Sequence, residues 1–186
     1  MASTPTLIPV EEYLQTMYRP DCDYVDGEVL ERNMGEKPHS RLQKFISRFL
    51  EGFEDTLPVE VFPEQRLQIN SSRYRVPDVM LVSLPSADPL IVRTPPILCV
   101  EVLSSEDRLA KIRERVLDYA SIGVPTSWVI DPWRRTAYIA AGDGILHETS
   151  GSLIVPSTPI SITVDQIFAE LDRLEKRAAN NPCSAS

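Results

Sequence analysis

The sequence predicts a mixed α/β sheet with helices packed on it, folded as a single domain. Three observations lead there. Strand-like apolar runs cluster in the middle of the chain, amphipathic helical patterns stand before, between and after them, and no internal repeat imposes a solenoid or propeller. The 186-residue length fits one domain with a real core, read here as residues 1–178 followed by a frayed tail at 179–186.

Each element has its own signal. "IPVEEYLQTM" at 8–17 suggests a short helix, and "DYVDGEVLER" reads as a β-hairpin whose Asp26-Gly27 turn suits the positive φ angles of type I′. In "PHSRLQKFISRFLEGF" the residues Leu42, Phe45, Ile46, Phe49, Leu50 and Phe53 recur at three- and four-residue spacing. That is an amphipathic helix starting near His39 or Ser40. Three strands follow in "VEVFPEQRLQI", "VPDVMLVS" and "ILCVEVLS"; the last two are continuously apolar, as central strands covered on both faces should be. A helix then runs to about Ile122, capped by Ser104 or Ser105, with Glu106 and Asp107 in its first turn and Gly123 at its end. "TSWVIDP" and "RTAYIAA" form another strand pair, weaker strands lie near Ile145 and Ile154, and "VDQIFAELDRLEKRA" closes the fold as a helix.

Composition narrows the function classes. Hydrophobic residues at 42% and charged residues at 25% are ordinary for a water-soluble domain, and no run approaches the roughly 20 apolar residues of a membrane span. No basic region followed by a long apolar run opens the chain, so a cytoplasmic location without membrane contact is expected. Cys22, Cys99 and Cys183 are odd in number and widely spaced, which argues against a disulfide framework or a zinc site; Cys99 reads as core. The net charge of -8 works against nonspecific nucleic-acid binding.

The chemistry begins with two acids inside apolar strands, Asp78 in "RVPDVMLV" and Glu101 in "LCVEVL". A buried carboxylate costs several kcal/mol unless it is paired, hydrogen-bonded or bound to a cation. If the two strands are adjacent, their acids converge, and mutual repulsion then raises a proton affinity or recruits a hard divalent cation such as Mg2+ or Mn2+.

Pro77-Asp78, then Glu101, "EVLS", a charged helix, "DYASIGV" and "WVIDP" together resemble the Uma-type branch of the PD-(D/E)XK nuclease superfamily. The likeness extends from the "DYVDGEV" hairpin to "ISITVDQIF" and is specific in combination, though each motif alone is weak. It implies a restriction-endonuclease-like core, a mixed β-sheet with flanking helices. It also implies Asp78 and Glu101 as metal ligands, Glu64 in "FPEQRLQI" as a further active-site acid, and Mg2+-dependent hydrolysis of DNA phosphodiester bonds by a homodimer. The alternative is a catalytically inactive nuclease-fold binding module. Glu64 lies in an alternating strand and is as readily solvent-facing.

One position departs from the superfamily pattern. The simplest signature has a Lys two residues after the second acid, and residue 103 is Leu. In the Uma-type branch the basic residue moves to the next helix, four residues before the Tyr of "DY", which is Arg115. Ideal helix geometry puts Arg115 roughly 90° and Lys111 roughly 130° from the centre of the apolar stripe between Ile112 and Val116. Arg115 is thus the nearer catalytic candidate and Lys111 the second. The alternative pairs both with Glu114, Asp118 or Asp107 as a solvated helix face. An Arg can bind phosphate but does not readily lose a proton. His39 stands where the family commonly has a His. It is a candidate contact to a phosphate or to the active site, a surface His at a helix start being the commoner reading; with it, Lys37, Arg41, Lys44 and Arg48 are candidate nucleic-acid contacts, a solvated face being the commoner reading of such a stripe. Trp128 and Tyr119 read as core.

Overall fold

The computed structural model of the chain describes residues 7–32, 36–85, 90–105, 107 and 109–180. Helix α1 (Val10–Gln15) leads into the hairpin β1 (Asp23–Val25) and β2 (Glu28–Leu30), whose turn residues have φ of 51° at Asp26 and 99° at Gly27, as type I′ requires. Helix α2 (Lys37–Glu51) starts slightly earlier than expected, with Pro38 in its first turn, where a missing N–H costs nothing.

The run expected as one strand, "VEVFPEQRLQI", is two: β3 (Val59–Pro63) and β4 (Leu67–Asn70). They belong to different sheets, and the chain breaks between them at Glu64, whose φ of 50° no strand residue adopts. A strand not expected from the sequence, β5 (Arg73–Arg75), follows; β6 (Val79–Ser83) and β7 (Leu98–Val102) are the central pair. Helix α3 (Leu109–Ser121) begins later than expected, because Ser104 donates through both its N–H and Oγ to Asp107 Oδ2 in a separate turn; Glu106 lies outside the described residues. The rest is β8 (Thr126–Asp131), β9 (Thr136–Ala141), β10 (Leu146–Thr149), β11 (Ser152–Ile154), β12 (Ser161–Thr163) and α4 (Val164–Asn180). Helix α4 continues beyond the expected boundary at 178; Cys183 and the remaining tail lie outside the described residues.

The main sheet has six strands in the order β10-β9-β8-β7-β6-β3, antiparallel except for β7 and β8, which α3 connects as a βαβ crossover. A second sheet, β2-β1-β5-β4, stands beside it, and β11 pairs with β12. Period-two alternation sends Val79, Leu81, Val100, Val102, Trp128 and Ile130 to one face, against α2 and α4. Met80, Val82, Cys99 and Val129 go to the other face, where Tyr119, Ile112 and Val116 of α3 cover them. No helix among the described residues is long and apolar enough to cross a membrane.

Candidate active site

The register of the central pair sets Val79 against Val100 and Met80 against Cys99. One step further, Asp78 faces Glu101. Antiparallel partners directly opposite point to the same side, so both carboxylates join the α3 face. Both are buried, at 1% and 2% exposure, and line one small cavity of about 20 Å³ with Arg32, His39, Ser104, Asp107 and Arg115. The two acids therefore meet, as the strand reading expects.

Cations surround them. Asp78 Oδ1 accepts from Arg32 Nη2, while Oδ2 accepts the Val102 N–H at 2.7 Å and lies 3.3 Å from His39 Nε2. Glu101 Oε2 accepts from Arg115 Nη1 at 2.8 Å, and its Oε1 accepts from Tyr119 Oη at 2.5 Å. The other arm of Arg115 sits 3.0 Å from Asp23 Oδ2. From Asp23 the pairing continues outward: Arg75 joins Asp23 to Asp118, and Arg73 joins Asp118 to Asp26 on the hairpin turn. Seven side chains of alternating charge thus run from Glu101 to the β1-β2 turn.

The environment moves the titrations apart. Burial pushes the Asp78 carboxyl up, yet the Arg32 guanidinium, His39 and the Val102 N–H overcome that and hold it at about 2. Burial keeps Glu101 above the usual carboxylate range despite Arg115, with the Asp78 charge adding to the rise. The His39 imidazole is raised: burial lowers it, and the hydrogen bond to Asp78 more than compensates. Burial pulls Arg115 down, but Glu101 and Asp23 raise it well above its ordinary value, so it stays charged.

The remaining candidates separate clearly. Glu64 is half exposed at the rim, accepting from Gln43 Nε2 at 3.1 Å and lying 3.8 Å from Arg32, outside the residues that line the cavity. Lys111 is on the exposed face of α3 and does not line the cavity. Asp118 and Glu114 pair with Arg75 across the fold, in place of the pairing within α3 that the solvated-face alternative supposes. His39 is buried against Asp78, on the opposite flank of α2 from the basic stripe: ideal geometry puts it roughly 170° from the mean direction of Lys37, Arg41, Lys44 and Arg48. Tyr119 and Trp128 are fully buried as expected, and Tyr119 also reaches Glu101. Sequence reasoning missed Arg32 and Asp23; the one available signal was that each charge flanks a short hairpin.

The donor chemistry suits a hard dication in kind. Two carboxylates face a space with room for about one water-sized body, and Mg2+ needs only one or two protein carboxylates because it retains its waters. His39 Nδ1 is also buried without a partner among the described residues. Both acids are nevertheless held by guanidinium groups, and among the described residues no group of three or more His, Cys, Asp or Glu is arranged to hold a metal ion. A cation held by Asp78 and Glu101 would therefore have to take the place of Arg32 on Asp78.

Paired acids on the central strands, a βαβ crossover and helices on both faces define the restriction-endonuclease-like fold. A solved structure of a "putative nuclease belonging to DUF820" from Anabaena variabilis superposes with a TM-score of 0.77 at 19% identity, covering 88% of this chain and 99% of that one. The family model described as "Putative restriction endonuclease", Uma2, matches residues 10–157, and the chain belongs to that family. No curated protein matches.

Proposed function

We propose that this chain is a nuclease that hydrolyses DNA phosphodiester bonds, with Asp78 and Glu101 holding a Mg2+ or Mn2+ ion. The observation that carries the reading is the convergence of two buried carboxylates from adjacent strands on one cavity flanked by arginines. When bound, the ion lowers the pKa of a water and offsets charge on the phosphate oxygens. Arg115 holds Glu101 in place and, being permanently charged, steadies developing negative charge without exchanging a proton. Arg32 releases Asp78 and turns its fork to the phosphate, a bidentate acceptor of the geometry it prefers. His39 keeps Asp78 oriented through Nε2 and offers Nδ1 to a phosphate oxygen or the attacking water. Two copies pair about a two-fold axis so that both strands of a duplex meet an acid pair.

A second reading has one observation in its favour. Asp78 and Glu101 each already have a guanidinium partner, so a noncatalytic nuclease-fold module needs no metal to hold this pair. Calorimetric titration of Mg2+ and Mn2+, followed by cleavage assays on plasmid and single-stranded DNA, separates the two. The nuclease reading expects one ion bound, lost in Asp78→Asn and Glu101→Gln and tightened in Arg32→Ala, with cleavage following the first two losses. Absence of metal binding in both the natural chain and Arg32→Ala rejects it.

A further inference from the structure

Helices α2 and α4 enclose a groove of about 530 Å³ on the face of the main sheet opposite the acid pair. Arg41, Lys44 and Arg48 line it from α2, and Arg173 and Arg177 from α4, against one acid, Glu170. These are five of the 19 Lys and Arg in a chain of net charge -8, gathered on one wall. Two of the five are already engaged: Arg173 donates to Glu170 at 2.5 Å and Arg41 lies 3.8 Å from Glu175. Arg48 acts on Glu170 through its charge without a direct ion pair, and Lys44 and Arg177 make no ion pair among the described residues. The contrast with the acid pair, where each charge is matched, marks the groove as a surface built for an external anion. Its floor is half-buried Phe45, Phe49 and Leu174.

We propose that this groove binds single-stranded nucleic acid, its cations following the phosphates and its phenylalanines packing against bases or sugars. Cations alone would suit any polyanion. Cations beside partly exposed aromatic rings suit a strand whose bases are unstacked and free to lie on them. An acidic peptide offers no flat rings, and a duplex keeps its bases inside. The groove faces away from Asp78 and Glu101, so its binding does not rest on cleavage.

The test is fluorescence anisotropy of a labelled oligothymidine of about 20 nucleotides with the full chain in chelator, which keeps the strand intact and covers the span of a single-strand site. Lys44→Ala with Arg48→Ala, both exposed, should weaken binding about tenfold or more and reduce the slope of log affinity against log salt by about 1.4, for two lost phosphate contacts. Phe45→Leu keeps the floor apolar and removes the ring, and should weaken binding about tenfold. Lys111→Ala, which removes an exposed charge from α3 on the other face of the sheet, should bind as the natural chain does. Unchanged affinity in the Lys44/Arg48 variant overturns the proposal. So does equal affinity for duplex with no effect of Phe45→Leu, or displacement by polyglutamate as effective as by DNA. Loss of binding in Lys111→Ala alone moves the contact to the α3 face and also overturns it.

Discussion

At Arg115 one guanidinium divides between two acids, Glu101 through Nη1 and Asp23 through Nη2. Arg115→Ala leaves both buried carboxylates short of a cation and should cost about 3 kcal/mol in chemical denaturation, since Tyr119 and Arg75 still serve them. It should also weaken any cleavage. Arg115→Lys keeps the charge as a compact ammonium, so plasmid cleavage should persist or increase, while the lost arm lowers stability by about 1.5 kcal/mol. Exposed Lys111→Ala should stay within about 0.5 kcal/mol and leave activity alone. Cleavage abolished by Lys111→Ala and spared by Arg115→Ala would transfer the role. At this scale the sequence was informative where a charge broke an apolar run, as at Asp78 and Glu101, and where helix phase ranked Arg115 over Lys111. Arg32 and Asp23 were not legible. Their partners Asp78 and Arg75 lie 46 and 52 residues away: Arg32 meets Asp78 only where one sheet stands beside the other, and Asp23 meets Arg75 only through the pairing of β1 with β5, a strand without a sequence signal.

Among the elements, those with local signals were legible: the Asp-Gly hairpin and the amphipathic helices. The β3-β4 break was not, because alternation continues through Glu64 while the backbone turns there. Nor was β5, whose "RYR" reads as a polar connection until Asp23 and Asp118 neutralise Arg75. The end of α3 follows its signal closely. Gly123 has a φ of 93°, its N–H donates to Ala120 O, and the Val124 N–H donates to Tyr119 O, which is a Schellman closure. A Cβ at Gly123 would meet no atom within 4 Å, so Gly123→Ala isolates backbone strain from crowding. It should cost about 1–2 kcal/mol by urea denaturation. A neutral result would show that the helix end relaxes freely. Since Tyr119 sits at that closure and reaches Glu101, a loosened end should also show in the Tyr119 environment by fluorescence or NMR.

For the whole molecule, the expected two-fold dimer should give light scattering at twice the 20.9 kDa chain mass at micromolar concentration; a monomer mass there removes the paired-site arrangement. The net charge of -8 works against nonspecific nucleic-acid binding, yet a single total could not reveal that positive charge collects between α2 and α4. Fold class was thus more legible than charge distribution, because apolar periodicity is local and electrostatic pairing is not. The alternating series from Glu101 to Asp26 has a consequence for how such a chain can diverge. An interior link touches two neighbours of opposite sign, so its loss by one substitution takes a partner from each, whereas loss of the terminal Asp26 takes one only from Arg73, which keeps Asp118. Drift should therefore erode the series from the hairpin inward, with interior positions changing in matched steps, and the acids of the cavity would be the last to go.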